Sequence, residues 1–133
     1  MNFEELQTIS KIIAQKYNLS LIILFGSQAD GTQREDSDYD IAILSYRKLT
    51  SQEFFNMIND FTEKINKDID IVILNEIEDP LLLNNIARKS KVLFEKESGL
   101  YDDFVVNSIF NYIDYSPLYK IEEELVNKKL ETL

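Results

Sequence analysis

The chain has 133 residues, with 24 Asp and Glu against 14 Lys and Arg and a formal charge of −10. That balance argues against a nucleic-acid backbone as the main partner, because phosphate binding needs clustered cations. The absence of cysteine and histidine excludes disulfide scaffolds, thiolate sites, imidazole bases and most zinc centres.

With 44% hydrophobic residues the chain can bury the core of one domain. Its N-terminus opens on a polar amphipathic segment, unlike a signal peptide, and no apolar run is long enough to span a bilayer. The expectation is a cytoplasmic protein without a membrane partner. Phe3, Leu6, Ile9, Ile13 and Tyr17 recur at helical spacing, so residues 3–17 are predicted to form an amphipathic helix that stops at Asn18. Leu21–Phe25 is a short, continuously apolar strand of the kind covered by helices.

Gly26-Ser27 ends that strand, where glycine permits close backbone approach to a ligand. Ser27 can donate its hydroxyl to a phosphate oxygen or cap a short helix over Gln28–Gly31. Thr32–Asp36 is a polar loop whose Arg34 is one of few cations near the acids that follow. Ser37 can brace the turn, and Asp38 opens a second strand that continues as Ile41–Leu44. Asp38 and Asp40 are one residue apart, so in a strand both project to one face while Tyr39 packs on the other. Two such charges about 4 Å apart repel by roughly 4 kcal/mol at an effective dielectric near 20. A divalent cation between them relieves that cost, and hard oxygen ligands beside a glycine turn point to magnesium holding a phosphate.

Gly26-Ser27, Gly31 and Ser37-Asp38-Tyr39-Asp40 resemble the signature G-S-x-x-x-G-x-x-x-x-x-S-D-x-D of the DNA polymerase β superfamily. The short chain is most similar to its minimal nucleotidyltransferase (MNT) branch. One departure is Asp30, an acid between the two glycines.

Thr50 and Glu53 form a capping box opening a helix that carries Phe54, Ile58, Phe61 and Ile65 and ends at Asn66-Lys67. Asp68–Leu74 is a third strand with alternating acids at its start. The resembled family places a third acid in a V-D-[LIV]-V context, which Ile69-Asp70-Ile71-Val72 matches, so Asp70 is the candidate and Asp68 the runner-up. Asp79-Pro80 caps another helix, reaching about Arg88-Lys89. Arg88, Lys89 and Lys91 could flank a nucleotide, although cations at a helix end commonly complement its dipole. Lys91–Glu95 reads as a fourth strand nearer the sheet edge. Glu97-Ser98-Gly99 is a composition break, dividing a core of residues 1–98 from an extension of residues 99–133. That extension reads as two helices broken at Ser116-Pro117, with aromatic residues that either cap the sheet or form an interface.

The resemblance implies an α/β (α+β) fold: a polymerase-β-like palm of about four strands in a mixed sheet, with helices on one side and a C-terminal helical pair. It implies a magnesium-dependent nucleotidyltransferase, with two ions and ATP as substrate. Asp38, Asp40 and Asp70 would be catalytic and metal-binding, and Gly26, Ser27, Ser37 and Arg34 would contact the nucleotide. The implied partner is a HEPN-domain ribonuclease toxin, silenced by AMP transfer to a tyrosine. An aminoglycoside-type small-molecule acceptor and a non-catalytic binding antitoxin are the alternatives.

Overall fold

The computed structural model describes residues 1–30 and 38–131. In chain order it has helix α1 (Phe3–Tyr17), strand β1 (Leu21–Phe25), a short helix α2 (Ser27–Asp30) and strand β2 (Tyr39–Leu44). Helix α3 (Ser51–Ile65), strand β3 (Ile69–Ile73), helix α4 (Pro80–Arg88), strand β4 (Ser90–Glu95) and helix α5 (Leu100–Glu131) follow. The helix ends sit where short polar side chains can satisfy orphan backbone groups. Asn2 accepts from the Glu5 amide at 2.8 Å, and Asp79 accepts from Leu81 at 3.0 Å ahead of Pro80. Asn18 and Asn66 close α1 and α3 in the left-handed region, at φ 55° and 59°.

The strands form one sheet in the order β3-β2-β1-β4, antiparallel except for the β2–β3 pair. The parallel pair requires a crossover, which α3 provides. β4 lies at one edge, as its sequence predicts, and β3 at the other.

The expectation that helices lie on one side is corrected: they cover both faces. Ile22, Leu24, Ile41 and Ile43 pack with Leu6 and Ile13 of α1 and Met57 and Phe61 of α3. Leu21, Ile23 and Ala42 pack with Ile86 of α4, and Tyr101 and Phe104 of α5 rest against them. A central strand that is apolar at every position has two faces to bury, and one helical layer covers only one. The C-terminal helical pair is also corrected, because α5 is a single helix of 32 residues. Proline's fixed φ is already helical, so inside a helix it removes one backbone hydrogen bond without necessarily ending it.

Two polar clamps fix the helices. Tyr17 Oη and Lys16 Nζ both donate to Asp60 Oδ2, at 2.6 and 2.8 Å, joining α1 to α3. Arg47 makes a fork with Glu53, at 3.0 and 2.7 Å, and donates to the Tyr17 carbonyl at 2.9 Å. Glu53 completes the predicted capping box: its amide donates to Thr50 Oγ1 and its carboxylate accepts from the Thr50 amide, both at 3.1 Å.

The Arg47 fork and the Thr50 amide hold the Glu53 carboxyl down to about 2, from an ordinary 4.5. A depressed carboxylate contributes stability that is complete above its unfolded value and lost as pH falls through its folded value. Thermal melts should therefore lose stability between about pH 4.5 and 2 in part through Glu53. Glu53→Gln should lower the melting temperature at pH 7 and flatten that acid limb.

Candidate active site

The candidate acids gather where β1 ends and β2 and β3 begin. Asp40 lies directly opposite Asp70 in the parallel β2–β3 register, and opposite Phe25 in the antiparallel β1–β2 register. Alternation places both carboxylates on the face of Ala42 and Val72, the side covered by α4 and α5. Tyr39 packs into the opposite core. Asp38 is exposed immediately before β2, Asp40 is half-buried and Asp70 is exposed.

Burial raises the Asp40 carboxyl above its ordinary value, and the charges of Asp70 and Asp38 raise it further. Both neighbouring acids thus act on Asp40 through space. Asp68 is exposed before β3 and accepts the Tyr39 amide through its carbonyl at 3.0 Å. Among the described residues, no three acidic side chains already form a metal-ligand set. The donor chemistry nevertheless fits a divalent ion: hard carboxylate oxygens share a field of like charge that such an ion relieves.

Gly26 adopts φ 75°, a conformation that disfavours any side chain. A β-carbon there would stand 3.3 Å from Asp40 Cγ and collide with Oδ2. The glycine therefore serves both the turn and the position of the carboxylate. α2 begins at Ser27, and its Ala29 amide donates to the Gly26 carbonyl at 3.1 Å. The Ser27 side chain, and Gly31, Arg34 and Ser37 altogether, lie outside the described residues.

Three cations considered as nucleotide contacts have distinct settings. Arg88 donates to Asn84 at 2.9 Å, and Lys89 is exposed at the end of α4. Lys91, opposite Leu24 in the β1–β4 pair, stands over the Phe3 ring at 5.8 Å, toward the first core and away from the carboxylates. Sequence reasoning missed the row completed by Phe25 and Ser90. The register runs Asp70, Asp40, Phe25, Ser90 across all four strands, and Tyr101 donates to the Ser90 carbonyl at 3.0 Å. Only strand order could reveal that row.

Such an edge is what a nucleotidyltransferase palm presents. Residues 7–99 match the family described as polymerase beta, nucleotidyltransferase, and the chain belongs to it. Among its relatives, the protein adenylyltransferase MntA of Aphanizomenon flos-aquae is 28% identical over 143 aligned positions, spanning 96% of this chain and 91% of that one. The fold matches a chain of a toxin–antitoxin crystal structure containing AMP-PNP, with a TM-score of 0.73 and 24% identity, over 90% of this chain and 98% of that one. It also matches a chain of the tri-AMPylated Shewanella oneidensis HEPN toxin in complex with MNT antitoxin, with a TM-score of 0.70 and 20% identity, over 94% and 99% of the two chains. Among the described residues, no helix is long and apolar enough to cross a membrane.

Two variants test the geometry. Gly26→Ala should destabilise the fold by about 1–2 kcal/mol for the left-handed backbone alone and lower nucleotidyl transfer at least about 100-fold by displacing Asp40. A raised carboxyl loses its stabilising contribution as pH rises through its folded value, so at neutral pH the Asp40 charge opposes folding. Asp40→Asn should thus raise the metal-free melting temperature at pH 7, by a few degrees at most, and narrow the difference as pH is lowered.

Proposed function

We propose that this chain transfers AMP from ATP to a tyrosine hydroxyl of a partner HEPN ribonuclease toxin, and so acts as its antitoxin. The observation that carries this reading is the Asp40–Asp70 pairing beside Gly26, in a family member similar over most of its length to a protein adenylyltransferase. The toxin–antitoxin assemblies containing AMP-PNP and an AMPylated HEPN toxin support the choice of nucleotide and acceptor. A small-molecule acceptor has weaker support, from a match to spectinomycin adenyltransferase at a TM-score of 0.52 over 66% of that chain.

In this mechanism the tyrosine oxygen attacks the α-phosphorus of ATP. The bond from that phosphorus to the bridging oxygen breaks, and pyrophosphate departs in line. Asp38 and Asp40 would hold magnesium, and Asp70 would help to hold a second ion. Bound magnesium supplies charge neutralisation along the triphosphate. Asp70, exposed at the same edge, takes the proton released by the hydroxyl. Gly26 would let the backbone close on the β- and γ-phosphates, and Ser27, Arg34 and Ser37 are the proposed further nucleotide contacts. No histidine is needed, because positioning and electrostatics carry phosphoryl-group chemistry. Residues 1–98 form the catalytic core in this reading, and residues 99–133 its helical extension. The setting is cytoplasmic.

Incubating the chain with ATP, magnesium and a HEPN-domain protein encoded beside its gene should add whole AMP units to the partner, read by intact mass. Asp38→Asn/Asp40→Asn should lower the transfer rate by about 1,000-fold or more while still binding the partner, and chelation should do the same to the wild type. Full protection of cells by the double variant would instead make this a non-catalytic binding antitoxin.

A further inference from the structure

The first half of α5 is apolar on two sides. Inward, Tyr101 and Phe104 pack against the second core and Ser108 is buried. Outward, Val106, Phe110 and Ile113 recur at i, i+4 and i+7 and are 50%, 61% and 52% exposed. Single exposed apolar residues are ordinary. Three in one line, with a phenylalanine at the centre, have the form of a helix-in-groove anchor.

The surrounding charges narrow what binds there. Between Leu100 and Asp114 the sequence contains Asp102, Asp103 and Asp114 and no lysine or arginine, and all three acids are exposed. On a helical projection they flank the apolar line. A second copy would bring the same acids and another −10 of net charge to the contact, which opposes self-pairing. A basic surface meets both the line and its frame.

We propose that the outward stripe Val106–Phe110–Ile113, framed by Asp102, Asp103 and Asp114, docks the acceptor protein through an apolar groove rimmed by lysine or arginine. The inference rests on the proposed transfer to a protein, since it names where that acceptor binds. α5 covers the same face of the sheet to which Asp40 and Asp70 point. A partner seated on it stands on the reactive side, so binding energy gained away from the chemistry holds its hydroxyl within reach.

The test measures binding of the full chain to the HEPN-domain protein by calorimetry, at about 50 and about 300 mM salt, alongside AMP transfer and sedimentation. Val106→Ser/Phe110→Ser/Ile113→Ser should bind at least about 30-fold more weakly, with unchanged helical content by circular dichroism. Its KM for the partner should rise with kcat nearly unchanged. Phe110→Asp alone should show the same direction, guarding against misfolding of the triple variant. Asp102→Lys/Asp103→Lys/Asp114→Lys should weaken binding at low salt, with a smaller difference at high salt. If these variants bind and transfer like the wild type, the docking proposal fails and the transfer reading stands. A wild-type dimer broken by the triple variant, with partner binding intact, also overturns it by making the stripe a self-interface. Stripe-dependent binding without any AMP transfer would uphold docking and sink the transfer reading.

Discussion

The parallel pairing of β2 with β3 is the constraint on which the remainder depends. It sets Asp40 against Asp70, two like charges on neighbouring strands roughly 4.8 Å apart. Side chains alternate along a strand, so a slip of one residue would turn Asp70 to the opposite face. The register is held by cores on both sides: Ile41 and Ile43 belong to one, Ala42 to the other. Burial on two faces allows the sheet to hold a repulsive arrangement that an isolated hairpin would relax.

The distribution of cations makes that arrangement more telling. Lys16 and Arg47 are paired with Asp60 and Glu53 in the clamps on α1 and α3. Arg88 leans on Asn84, and Lys91 faces the opposite core. These four basic groups brace the scaffold. A triphosphate brought to such an edge needs its charge met by bound metal, and hard carboxylate oxygens suit that task. The same economy explains how an acidic protein can handle an acidic substrate.

α5 has a different character from the other helices. α1 and α3 gather most of their apolar residues on one buried side, whereas the first half of α5 is apolar both toward the sheet and away from it. A 32-residue helix is about 48 Å long, while the strands it covers are five or six residues. Its first half is tied down by Tyr101 and Phe104. A helix much longer than the strands it covers, with exposed apolar residues along its first half, is suited to joining a second protein.

Local chemistry made much of this protein legible in its sequence. Asn18, Thr50 with Glu53, Asn66, and Asp79 with Pro80 mark helix ends because capping depends on near neighbours. The pair Asp38 and Asp40 is likewise legible, since alternation along one strand is local, whereas the close approach of Gly26 to Asp40 needs β1 beside β2. Pro117 misled, because proline states only what hydrogen bond is lost and leaves to tertiary packing whether a helix continues. Helices on both faces, the Asp70–Asp40–Phe25–Ser90 row and the side taken by Lys91 were decided by the fold alone. Strand order and crossover direction arise from packing between segments distant in sequence, and no local pattern encodes them.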